Sequence, residues 1–156
     1  WSNRFDIAGR GIRSHLSFRR FETNLSWHIP VHPRWTINNT IRYTGVSGNE
    51  LVPTLLAQFG GHDLFIGLHP YEYTGNYMKM IRSAIQFEWM PRRYLTATWN
   101  MGQTDKRYTS PYRFNKPVHG AGLTLGMETF IGPIELSGMT SDEHAFLTYL
   151  NIGYKF

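Results

Sequence analysis

A chain of 156 residues has room for one domain, and 10 Phe, 9 Tyr and 5 Trp exclude disorder. Only 17% of residues are charged, mean hydropathy is −0.38, and no run reaches the roughly 18 apolar residues of a spanning helix, which excludes a helical membrane protein. The absence of cysteine excludes disulfides and thiolate chemistry, and 16 scattered Lys and Arg giving a net +5 form no block for nucleic acid.

Alternation with period two dominates the rest of the chain, the mark of strands with one apolar and one polar face. Eight strands are predicted, at about 4–14, 18–29, 35–44, 76–89, 94–104, 118–130, 133–140 and 145–156. In the first, Arg10, Gly11 and Arg13 blur the pattern. At 35–43, Trp35, Ile37, Asn39, Ile41 and Tyr43 alternate with Thr36, Asn38, Thr40 and Arg42. Residues 51–59 (LVPTLLAQF) suit a short helix or a folded loop. At 77–89, Arg82, Gln86 and Glu88 share the even face with Met78, Met80 and Ala84. At 95–101, Leu95, Ala97, Trp99 and Met101 oppose Thr96, Thr98 and Asn100. Further on, Ala121, Leu123, Leu125 and Met127 oppose a face of Gly, Thr and Glu.

The connections are sorted by length. Short turns fall at 30–34, 91–93 and 132–133; long ones fall at 44–76 and 103–117, with a shorter one near 141–143. Outer-membrane barrels sort their connections this way, with short turns at one rim and long loops at the other. Trp27, Trp35, Trp89, Tyr94 and Phe130 lie near the short turns and are expected to form an interfacial girdle. The strand lengths suit tilted membrane strands of about 9–11 residues. The expected fold is therefore all-β: a single transmembrane antiparallel up-and-down β-barrel domain over residues 1–156, in the bacterial outer membrane, with its lipids as partners. In lipid every backbone group must be paired. Either eight strands close alone, or missing N-terminal strands or another subunit complete the sheet. The chain starts at Trp1 without a signal peptide, so it is expected to be processed or a fragment. Arg42, Arg82, Gln86, Glu88, Asn100, Tyr149 and Lys155 are expected to face the lumen.

Three segments carry a family resemblance. Residues 149–156 (YLNIGYKF), with Ile152, Gly153, Tyr154 and Phe156, resemble the β-signal read by the bacterial barrel-assembly machinery. Residues 60–76 (GGHDLFIGLHPYEYTGN) resemble the sixth extracellular loop of Omp85-superfamily barrels. Residues 120–134 (GAGLTLGMETFIGPI) resemble the family's antepenultimate strand and its turn. The family's loop motif, Arg-Gly-aromatic, falls on Ile66, Gly67 and Leu68, so Ile66 stands where the family's lumen-anchoring Arg would be. The pattern is most similar to the barrels of patatin-like outer-membrane proteins. The resemblance implies the C-terminal half of a sixteen-stranded barrel, acting as membrane anchor or as a translocation or assembly pore. It also implies contact with the assembly machinery through the last strand, a lumenal lid from residues 60–75, and a lipase domain, if any, upstream of this chain.

Catalysis is not expected here. His28 and His32 straddle a turn, and no spacing among the seven His demands a metal. Ser141, Asp142, Glu143 and His144 are adjacent in one loop, where the members of a triad seldom point at each other. No nucleophile elbow and no cofactor motif occur. The alternative is a self-contained eight-stranded barrel that processes lipid A or phospholipid acyl chains.

Overall fold

The computed structural model describes residues 2–8, 18–48, 51 and 53–153. It is all-β, with no α-helix among the described residues. Eight strands form one antiparallel sheet in the order β1 (Ser2–Ala8), β2 (Phe18–His32), β3 (Trp35–Gly48), β6 (Tyr77–Met90), β7 (Arg93–Asp105), β8 (Val118–Thr129), β9 (Gly132–Ser141) and β10 (Leu147–Ile152). Two three-residue strands, β4 (Ala57–Phe59) and β5 (Tyr73–Gly75), pair with each other inside the β3–β6 connection. The strands predicted from alternation match these eight closely. The latter part of the first predicted strand lies outside the described residues, as do Tyr154, Lys155 and Phe156 of the last. The 51–59 segment holds the short helix expected, a 3-10 helix at Pro53–Leu55, which leads into β4.

Every strand of the large sheet pairs with its sequence neighbour in that sheet, as an up-and-down barrel wall requires. The register carries one inner row through Thr36, Gln86, Thr96, Thr124, Ser137 and Tyr149. An outer row runs through Trp35, Phe87, Leu95, Leu125, Leu136 and Leu150. A slip of one residue would exchange the two faces, so the alternation itself fixes the pairing. On the outer face large apolar side chains stand exposed: Leu125 at 52%, Leu150 at 59% and Phe130, in the turn, at 99%. An apolar band this large marks a surface that meets something other than water. The sheet is open, because β1 and β10 do not pair with each other. Eight strands therefore do not close alone among the described residues.

The core does not lie between two sheets. It lies against the inner face, where Val46, Met78, Met80 and Val118 pack against Ala57, Phe59, Phe65 and Leu68 of the β3–β6 connection. This explains why Met78 and Met80 interrupt an otherwise polar face of β6. Two of the predicted girdle residues sit elsewhere. Tyr94 falls on the inner face by its register with Glu88, and its hydroxyl donates to Glu128 at 3.3 Å. Trp27 is on the outer face, but pairs with Asn39 well up the wall from the turn. Trp35, stacked on Phe87 at 4.5 Å between centroids, and Trp89 remain at the short-turn rim with Phe130.

Candidate functional site: a loop locked onto the inner wall

The chemistry-bearing groups gather where the β3–β6 connection folds onto the inner face. Its stem is the β4–β5 pair, with Ala57 opposite Gly75 and Phe59 opposite Tyr73. Phe59 packs on Phe65 at 4.8 Å and on Tyr73 at 5.2 Å. The tip then turns back on itself, with Gly61 N–H donating to Leu68 O at 3.0 Å and Phe65 N–H to Gly61 O at 2.8 Å.

The wall grips the backbone of the tip. Asn100 on β7, fully buried, accepts from Ile66 N–H at 2.8 Å and donates to Ile66 O at 3.2 Å. One amide side chain thus satisfies both buried backbone groups of one residue, each of which would otherwise cost about 1–3 kcal/mol. Ser141 Oγ on β9 donates to Gly67 O at 2.6 Å. The fit leaves no spare volume. A Cβ at Gly120 would lie 2.1 Å from Ile66 O, and one at Gly67 would lie 2.3 Å from Thr140 O. Gly67 also has φ of +91°, the left-handed region that favours glycine.

A second set of contacts ties the tip to β6, β8, β9 and β10. Arg82 donates to Asp63 O. His62 Nε2 meets Ser137 Oγ at 2.7 Å, and Ser137 meets Thr124 Oγ1 at 2.8 Å. The His62 ring stacks on Tyr149 at 4.7 Å. At the long-connection rim, His144 Nε2 lies 2.8 Å from Glu72 Oε1, and Tyr73 donates to Glu143 Oε1 at 2.5 Å. Burial and that carboxylate together push the Tyr73 hydroxyl up to about 12. Towards the short turns, a polar cavity of about 300 Å³ opens beneath the tip, lined by His28, Asn38, Arg82, Gln86, Thr98 and Glu135.

The residues singled out from sequence fall into place unevenly. Ile66, Gly67 and Leu68 form the buried tip, and Arg82 touches it. Ile66 is anchored by its backbone, with its side chain against Gly122, where a charged group would have reached for the wall. Arg42 is also on the inner face but pairs with Glu22 at 3.8 Å, away from the tip. Glu88 sits by the short turn and accepts from Arg92 N–H at 3.1 Å. Of the β-signal residues, Ile152 ends β10, and Gly153 N–H donates to Pro133 O at 2.9 Å; Tyr154 and Phe156 lie outside the described residues.

The roles of Asn100, Gly120, Ser137, Ser141 and His62 in holding the tip escaped sequence reasoning. The available signal was the run Gly120, Gly122, Gly126 on one strand face, since bare glycines mark the close approach of another backbone. Ser141 and His144 do not form a relay with each other. The Ser141 hydroxyl is committed to Gly67 O, and the His144 ring faces Glu72. Among the described residues no group of three His, Asp or Glu is placed to hold a metal.

A comparison with curated proteins finds no match. The family model of the OMP85 superfamily matches residues 45–156, well over half of the chain, and spans the locked loop, its glycine-rich landing strand and the last strand. The chain belongs to the OMP85 superfamily.

Proposed function

We propose that this chain is the C-terminal wall of an outer-membrane OMP85-type pore of the patatin-like branch, with residues 60–72 as its resident plug. It acts as anchor or as a route for polypeptide translocation or assembly, and breaks no bonds itself. Missing strands complete the sheet, and the assembly machinery engages the last strand. The observation that carries this reading is the two-way bond between Asn100 and the Ile66 backbone, which holds a loop across the inner face of an open, outward-apolar sheet. A non-catalytic role is supported by the engagement of Ser141 with a backbone carbonyl. The branch assignment is supported by the similarity of the overall sequence pattern to patatin-like barrels, and Ile66 in place of the family's Arg favours the anchor over a translocating role.

The test is conductance in planar bilayers of the full-length protein. Asn100→Ala strips the tip of both bonds, costing roughly 1–3 kcal/mol per group left unsatisfied. Longer and more frequent open events than in the wild type are expected. Identical current traces from the two proteins would overturn the plug.

A further inference from the structure

On the outer face, opposite the plug, a second loop is folded against the wall. Residues 106–117, between β7 and β8, lie over β6 and β7 at the long-connection rim. Their anchor is Lys79, which points outward from β6 yet is only 3% exposed. Its ammonium donates to Thr109 Oγ1 at 3.2 Å, to Ser110 O at 3.1 Å and to Arg113 O. It lies 3.7 Å from Asp105 and 5.3 Å from the centre of the Phe114 ring. Gln103, in the same outer row, accepts from Asn115 N–H at 2.8 Å. The loop is thereby fixed to the face of the sheet that carries the apolar band.

What this fixed loop presents is uniform in sign. Lys106, Arg107, Arg113 and Lys116 are all exposed, and residues 106–117 contain no acid. Tyr112 stands 92% exposed and Tyr108 70%. Tyr108 meets Tyr77 edge-to-face at 5.6 Å and there roofs a pocket of about 340 Å³ on the outer wall. Phe21, Tyr43, Gly45 and Tyr77 supply apolar and aromatic walls, Arg19 and Arg20 stand at the pocket, and among the described residues no acidic one lines it.

An apolar slot on the outer face, lined by Arg19 and Arg20 and roofed by Tyr108 of an acid-free basic loop, matches an acyl chain below a phosphate. We propose that the Arg19–Tyr77–Tyr108 pocket and the basic 106–117 loop bind a phosphorylated lipid of the leaflet at the long-connection rim. The acyl chain lies along Phe21, Gly45 and Tyr77, and the headgroup phosphate is met by Arg19 and the loop cations. This rests on the membrane reading above, but not on the plug.

The experiment uses the full-length protein in phosphatidylcholine vesicles doped with diphosphoryl lipid A, followed by detergent extraction and quantification of lipid A retained per protein. A variant with Arg19, Lys106, Arg107, Arg113 and Lys116 all changed to Gln is compared with the wild type. At least a fivefold loss of retained lipid A is expected. A similar loss from the unaltered protein in half-molar salt is expected, a measurement independent of the variant's folding. Equal retention by wild type and variant, with both resisting alkaline extraction, would overturn the lipid site alone. Displacement of the lipid by millimolar inorganic phosphate would also overturn it, because a free anion would then be the ligand. Failure of the wild type to resist alkaline extraction would overturn the membrane reading and this site together.

Discussion

Gly120 on β8 comes up against Ile66 of the tip, and Gly67 of the tip against Thr140 on β9, so closely that backbone meets backbone. At Gly120 even one methyl group would lie 2.1 Å from Ile66 O, where neither partner has a flexible end to yield. Gly120→Ala is therefore expected to displace the tip, at the roughly 1–3 kcal/mol typical of overpacking. Amide exchange at Ile66 and Gly67 should accelerate while β7 stays protected; unchanged exchange at both residues would contradict the lock. Tyr73 offers a pH-dependent check. Its hydroxyl is held protonated in the folded state, pushed up to about 12 from an ordinary value of 10.0. The folded state thus binds the proton more tightly, so the contribution is complete below pH 10 and is lost as pH rises towards 12. Tyr73→Phe should flatten stability against pH in that window and, lacking the bond to Glu143, should be less stable than the wild type at neutral pH. A wild type with no slope there would refute the assignment.

At the scale of the strand, the two faces carry different penalties. Leu125 lies in the middle of the exposed outer row, and its neighbour Thr124 bonds Ser137 on the inner face. In the proposed membrane setting, Leu125→Arg is expected to cost roughly 2–4 kcal/mol, as for a cation near the midplane of a barrel's lipid face. Refolding into vesicles at graded urea would measure it, and a change near zero would mean that this row meets water. The strands were legible in the sequence because their alternation has a local cause, the pleat, which needs no knowledge of partners. Trp35–Tyr43 and Leu95–Met101 declared both faces outright. The docking was far less legible. Asn100 resembles any polar inward residue, and nothing local shows that its amide matches the peptide of Ile66, 34 positions earlier. Met78 and Met80 were the visible anomaly, apolar residues on a polar face, and their cause lay in the loop that covers them. Tyr94 was misplaced for a related reason. Nearness to a turn says which rim a ring occupies, whereas parity within the strand decides its face.

For the molecule as a whole, a single sheet presents two chemically unlike surfaces, and each is occupied by a loop from the same rim. The β3–β6 connection covers the inner face and the β7–β8 connection covers part of the outer one. The hydrophobic core is thus built between wall and loop, not between layers. Loosening the tip should consequently lower global stability and, in the proposed pore, alter passage through it. The stem strands β4 and β5 join the tip to β3 on one side and β6 on the other. A tip released from Asn100 stays leashed at both ends, within a few residues of its berth. Its return is a unimolecular event with a high effective concentration, so recovery of the docked state should proceed at the same rate however dilute the protein.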